Sequence, residues 1–416
     1  MKKPLLAVIF IALVATPNLV YGVFSTSIIL ESPEPGFNNQ FGYKVDSYEQ
    51  RLMIAAYSQY AYLYQKGEVK MLPVPLMDKL FEPSIDITDD HMIVGYVSTN
   101  YDGFDAAGIA YLFDAEGDSM DTIFPPDPEN WGHFGSSVLL GNEYFYVGEA
   151  WADYFELDEG KVHRYNYAEV YLDSMVPPES SYAATFGSRL EGNNQWFVVS
   201  ELNGVHGMLN NGEVHLYTWG GELVRTLTPL NSSVLNDFGA SVALSTDYIA
   251  VGESIAQIED YDRAGRVYVY NMNGELLYVL EPPEPIDGGL YGFSVAVNNE
   301  YIAVGEPRAN GVDPLEGAVH IYNLDGEYVE TIYSPLGESN SEFGKSLCFS
   351  DGMLYVGQPG ASVNLMINAG RVIEFSPVPV VPNGPEPANT TLVYSMIVVL
   401  AATVVLFIAK MRQDQN

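Results

Sequence analysis

The chain has 416 residues, with 18 Lys plus Arg against 54 Asp plus Glu and a formal net charge of −36 at pH 7. A surface so acidic repels nucleic-acid phosphates and anionic lipid heads; this excludes a nucleic-acid binder and suits basic partners, divalent ions or a solvated surface kept soluble by charge. Cys348 is the single cysteine, so no intrachain disulfide forms and stability has to come from packing.

Taken in order, residues 1–22 carry Lys2 and Lys3, an apolar run from Leu5 to Val14, and Val20 and Gly22 placed as the small residues of a cleavage site. This is the pattern of a secretory signal peptide, with a mature chain beginning near Val23. Residues 23–376 then repeat one unit. Its starts are Phe41-Gly42, Phe81-Glu82, Phe134-Gly135, Phe186-Gly187, Phe238-Gly239, Tyr291-Gly292 and Phe343-Gly344, spaced by 40, 53, 52, 52, 53 and 52 residues. The copy from Phe238 to Pro282 shows four short apolar-alternating stretches: Ala240 to Leu244, Tyr248 to Gly252, Arg266 to Tyr270 and Leu276 to Leu280, the last following the hairpin signal Asn273-Gly274. Four antiparallel strands per ~50 residues make a small sheet that must bury both faces against its neighbours, and seven such units predict an all-β, seven-bladed β-propeller.

The motifs carry a resemblance. Phe-Gly opening strand one, with Val251-Gly252-Glu253-Ser254, Val304-Gly305-Glu306-Pro307 and Val356-Gly357-Gln358-Pro359 closing strand two, resembles the FG-GAP repeat of integrin α-subunit propellers, over roughly Phe41 to Phe375. The resemblance implies a cell-surface binding or adhesion module and, in many members, calcium loops of the form Asp-X-Asp-X-Asp-Gly between strands one and two. Here that connection is a plain turn, as before Tyr144, Tyr248 and Tyr301, so calcium is not expected there. A partial match lies between strands two and three of blade two, where Asn100, Asp102 and Asp105 offer oxygen ligands around Gly103 but lack the closing bidentate acid.

The last copy ends after its third strand, Arg371 to Phe375, whereas Ser25 to Pro35 reads like the fourth strand and exit of another copy. Ser27 to Leu30 is therefore expected to complete blade seven and close the ring, removing an open edge.

Alternating strand direction puts the loops between strands two and three, and those leading to the next blade, on one face. Both sets are long, and binding residues concentrate on long loops held by a rigid scaffold. Acids alternate with aromatics there: Tyr101 and Phe104 in blade two, Trp131 in its exit loop, Trp151, Asp153, Tyr154, Phe155 and Glu156 in blade three, and Glu259, Asp260, Tyr261 and Asp262 in blade five. Such rings and carboxylates suit a sugar face or a basic peptide segment; packing within their own loops is the alternative. His163, His215 and His320 share one slot of strand three with Tyr111, Tyr268 and Ile373, which marks a packing position, and Cys348 occupies the core slot of Ala243 and Ala296. No nucleophile with its base is evident, so no enzyme is expected. A membrane-tethered carbohydrate-active hydrolase using the acidic loops and a structural envelope component are the other readings.

Residues 377–391 form a proline-rich stalk with a reach of ~40 Å if extended. Residues 392–409 carry no charge and would span ~27 Å as a helix, enough to cross a bilayer, with Lys410 and Arg412 placing a short tail, 410–416, in the cytoplasm. Sequons at Asn231 and Asn389 are candidate glycosylation sites. The sequence thus predicts a single-pass cell-membrane protein whose propeller faces outward to an extracellular protein or glycan.

Overall fold

A computed structural model describes residues 24–57, 60–74, 82–153, 158–179, 183–202, 205–206, 209–210, 212–230, 237–311 and 313–378. The expected signal peptide, transmembrane segment and tail, and all but the start of the stalk, lie outside the described residues. Among those described, no helix is long and apolar enough to cross a membrane.

The described chain folds into seven four-stranded antiparallel sheets. Blade one consists of Phe41–Tyr48, Arg51–Ala56, Ala61–Gln65 and Glu68–Met71, and blade two of Pro83–Ile87, His91–Tyr96, Ile109–Asp114 and Ser119–Ile123. Blade three runs Phe134–Leu140, Tyr144–Glu149, Lys161–Asn166 and Tyr171–Met175; blade four runs Phe186–Gly192, Trp196–Glu201, Glu213–Thr218 and Leu223–Leu227. Blades five and six are Ser241–Leu244, Tyr248–Glu253, Arg266–Asn271, Leu276–Leu280 and Ser294–Val297, Tyr301–Glu306, Ala318–Asn323, Tyr328–Tyr333. Blade seven combines Leu347–Ser350, Met353–Gln358 and Arg371–Pro377 with the amino-terminal Phe24–Glu31. The closing strand is longer than the four residues expected, pairing from Phe24 opposite Pro377 to Glu31 opposite Arg371. Ser27 Oγ donates to Glu374 Oε1 at 2.8 Å, and the Phe24 ring meets Tyr301 of blade six edge-on at 5.4 Å.

First strands are innermost and touch their counterparts in sequence order around the ring, blade seven meeting blade one. Second and third strands supply the buried inter-blade layers, in which Tyr62, Tyr146, Phe145, Phe197 and Tyr268 are fully enclosed. Burial on this scale, at about 2 kcal/mol or more per large side chain, replaces the missing disulfides.

A backbone clasp joins one blade to the next. Among the described residues, the opening aromatic donates its N–H to the residue two before strand three of the preceding blade: Phe134 to Ala107, Phe186 to Glu159, Tyr291 to Ala264 and Phe343 to Glu316, each at 2.9 Å. Phe41 donates to Ala369 at the same distance, so ring closure uses the same device. The glycine that follows the acceptor has to be a glycine. At Gly265, φ is +86° and an added Cβ would lie 2.0 Å from the Tyr291 carbonyl oxygen. The ring of the opening aromatic, in turn, packs on strand three of its own blade, as Phe238 does edge-on to Tyr268 at 5.3 Å.

Two outcomes are expected. Gly265→Ala, with both strain and a backbone clash, should lower unfolding stability in urea by on the order of 3 kcal/mol, whereas Gly67→Ala, with nothing within 4 Å, should cost about 1 kcal/mol. Removing Phe24 to Glu31 from the full chain should expose the Arg371–Pro377 edge and produce a broad, aggregating thermal transition; a melt as sharp as that of the intact protein would refute closure by this strand.

Candidate functional site

First strands line the axis and border a central channel of about 1100 Å³. One rung of this channel is nearly uniform. Ser84, Ser137, Ser241, Ser294 and Ser346 occupy it in five blades, each donating Oγ to the carbonyl of the glycine, or its counterpart, that opens the next blade: Gly135, Gly187, Gly292, Gly344 and Gly42 respectively, at 2.6–2.9 Å. Each serine sits opposite a small partner on strand two, as Ser241 opposite Gly252. Blades one and four break the pattern with Lys44 opposite Ala55 and Arg189 opposite Ser200. Arg189 Nε donates to the Ala240 carbonyl at 3.0 Å. Lys345, one residue nearer the mouth in blade seven, lies 4.3 Å above the Phe293 ring and 3.6 Å from Glu342 Oε1. Three cations of an acidic chain thus line a single opening.

The next rung inward is acidic. Asp46, Asp86 and Glu191 stand where other blades place Leu139, Ala243, Ala296 and Cys348. Asp46 Oδ2 accepts the Ile87 N–H at 3.1 Å, and Asp86 Oδ2 accepts the Leu140 N–H. Burial raises the Asp46 and Asp86 carboxyls, the two share a hydrogen bond, and the charge of Asp46 pushes Asp86 further. Glu191 is pushed up to about 8, by burial first and by Asp46 second. Cys348 is buried as expected, and burial pushes its thiol up.

Around the mouth the long-loop face carries aromatics. Trp131 and Trp151 are 57% and 48% exposed and flank His133, whose ring is 5.1 Å from Trp151 and 6.3 Å from Trp131. The loops are tied together here, Trp151 N–H donating to the Gly132 carbonyl and Trp131 N–H to that of Asp105. Trp151 and His133 also line the channel. Tyr101 is different: it stacks on Phe124 at 4.2 Å and pairs with Phe104 across a tight hairpin, so both are half-buried in their own loop. Tyr261 is 39% exposed at a similar hairpin, between exposed Glu259, Asp260 and Asp262. Asp153 is exposed and accepts the Asp158 N–H; Tyr154, Phe155, Glu156, Asn231 and Asn389 lie outside the described residues.

The oxygens proposed for calcium are occupied within the loop. Asn100 Nδ2 donates to Asp105 Oδ1 at 3.0 Å, while Asn100 Oδ1 accepts the Ala106 N–H. Asp102 is exposed at the hairpin tip. The histidine slot is a packing device. His163, His215 and His320 each pair Nε2 with the glutamate ending strand two (Glu149, Glu201, Glu306) at 2.7–2.9 Å, and Nδ1 with a hydroxyl of strand four. Tyr268 fills the slot in blade five and donates to Glu253. In blade four Glu213 joins Glu201 and His215 to form a buried group of metal-ligand type. Blades three and six hold the same histidine geometry without the third acid, so the geometry itself belongs to the fold. Burial drives His215 down to about 4 and Glu201 up to about 8; both shifts disfavour charge, so the pair is a neutral hydrogen bond.

Sequence reasoning missed the channel cations and an apolar patch where the blade-seven loop, with Leu365 98% and Ile367 54% exposed, meets Phe37. Comparison of the copies rung by rung carried the first signal: lysine and arginine where five copies have serine.

The acidic rung makes stability pH-dependent. The folded state holds a proton on Glu191 that the unfolded chain releases near pH 4.5, so its contribution is unfavourable once pH exceeds that value and complete above about 8. Glu191→Gln should therefore stabilise the protein at pH 8.5 by on the order of 2 kcal/mol, discounting for water in the channel, and have little effect at pH 4.5. Thermal melts across that range check it; an offset independent of pH would contradict the buried-acid assignment. His215 acts oppositely, costing stability as pH falls from 6.5 towards 4, but equally in both proteins.

No curated protein matches the chain. Residues 222–270 match the family model for the FG-GAP repeat, a span that begins just before strand four of blade four and runs through strand three of blade five. The matched unit is thus staggered by one strand from the structural blade, as ring closure by the amino-terminal strand requires, and the molecule is a seven-bladed β-propeller with an FG-GAP repeat.

Proposed function

We propose that the protein is a membrane-anchored, cell-surface binding or adhesion module that engages an extracellular protein or glycan through its long-loop face. The observation that carries this reading is the Trp131–His133–Trp151 group: two large rings left near half-exposed beside the channel mouth, on loops hydrogen-bonded to each other rather than free. Rigid amphipathic rings of this kind supply contact area at low entropic cost and dominate binding hot spots. The anchoring part of the reading is supported by residues 392–409, an uncharged apolar run of a length that spans a bilayer. Calcium, if bound at Asn100, Asp102 and Asp105, would have to displace the internal Asn100–Asp105 hydrogen bond.

The test is a glycan array and a cell-binding assay with the full chain. Trp131→Ala combined with Trp151→Ala should weaken capture by at least tenfold, about 1.4 kcal/mol or more, while shifting the melting temperature little. Unaltered capture by that double variant would overturn the reading.

A further inference from the structure

We propose that the mouth of the central channel is a binding site for a carboxylated sugar, its carboxylate held by Lys44 and Arg189 and its ring face resting on Trp151. The inference rests on the binding-module reading above and names the ligand chemistry for it.

Three observations converge. First, Lys44 and Arg189 replace serines that elsewhere bond one blade to the next, so two blades give up the serine bond and place a cation on the channel wall instead. Arg189 retains a substitute bond to the Ala240 carbonyl through Nε and gives Nη1 to the Ser188 carbonyl at 2.7 Å, which leaves Nη2 as the nitrogen for a ligand in the channel. Second, the cations are mutually repulsive. Burial, and after it the Arg189 guanidinium, pushes the Lys44 ammonium down to about 7; Lys345 of blade seven adds to the effect and Glu82 of blade two opposes it. Lys345 is paired with Glu342 at 3.6 Å, whereas the repulsion between Lys44 and Arg189, in a chain of net charge −36, is relieved by an anion from outside. Third, the space is limited. A channel of about 1100 Å³ admits a small ligand or the end of a chain, and the acidic surface disfavours a polyanion, which leaves a single carboxylate. Trp151 and His133 border the same opening, offering an aromatic face for the ring, whereas an acidic peptide would leave those rings unused.

The test is calorimetric titration of the full chain with sodium glucuronate, glucose, sodium acetate and a glutamate-rich peptide. Glucuronate at pH 6 should bind at least tenfold more tightly than either glucose or acetate, and its affinity should fall as pH rises beyond about 7 and Lys44 loses its proton. Lys44→Ser and Arg189→Ser, which restore the residue of the other five blades and so spare the fold, should each weaken glucuronate by about tenfold or more. Trp151→Ala should reduce its affinity to that of acetate. Equal binding of glucose and glucuronate, full affinity in the Lys44→Ser/Arg189→Ser double variant, or tighter binding of the peptide would each overturn the proposal. If glucuronate fails while Trp131- and Trp151-dependent capture persists, only this inference falls. If glucuronate binds as described but capture never depends on those tryptophans, the channel site stands and the long-loop reading falls.

Discussion

The ring depends on one backbone contact, repeated at five junctions among the described residues: the opening aromatic of a unit donating its N–H to the end of the preceding blade's long loop, over a glycine that has no room for a Cβ. The contact fixes two things at once. It sets the separation of neighbouring blades, so the buried faces of strands two and three meet at packing distance, and it pins the far end of each long loop to the start of the next blade. A loop of ten or so residues held at both ends has little freedom to lose on binding, which is what lets tryptophans such as Trp131 and Trp151 stay partly exposed without collapsing onto the sheet. Closure at Phe41 and Ala369 uses the same contact, with the amino-terminal strand adding a ladder from Phe24 to Glu31.

The first junction departs from this rule. Blade one has the short connection containing Ser58 and Gln59, blade two opens with Phe81-Glu82 in place of aromatic-glycine, and Lys44 stands where the bonding serine would be. A junction that departs from local rules kept at most of the others marks a place where something other than stability was selected. Lys44 and Glu82 are on the channel wall at that junction, and Arg189 reaches the same channel from blade four, where Ser200 replaces the glycine of strand two. The irregular residues cluster at the opening while the regular ones form its frame.

This division also explains what could be read beforehand. Blade number, strand order and closure by the amino-terminal strand were legible because the clasp accepts so few residue types that nearly every copy repeats them. The histidine slot was legible as packing for the same reason, since His163 and Tyr268 present similar rings to the opening aromatic of their blade. Its glutamate partner was not, although Glu149 and His163 recur at the same spacing as Glu201 with His215 and Glu306 with His320. The loop aromatics divided in a way that sequence could not foresee. Tyr101 is withdrawn by Phe124, a residue of another loop, and such a contact between separate segments leaves no local pattern. The channel cations escaped notice because a single lysine in a strand is ordinary, and only its rung, fixed by register across seven sheets, makes it unusual.

The two rungs of the channel act together. Lys44, Arg189 and Lys345 would be a poor anion site if the acids one rung below were ionised, since those carboxylates would compete for the same charge from within. Burial raises the Asp46 carboxyl, and burial together with the charge of Asp46 raises Asp86 and Glu191, Glu191 up to about 8. Glu191 near neutral pH is therefore a hydrogen-bonding group rather than a counter-ion, which leaves more of the positive potential at the mouth for a ligand. Raising the pH would undo this arrangement from both sides, as Lys44 gives up its proton near 7 and Glu191 ionises soon after. The same low-dielectric channel wall that makes the acidic rung costly to the fold is what keeps the cationic rung available.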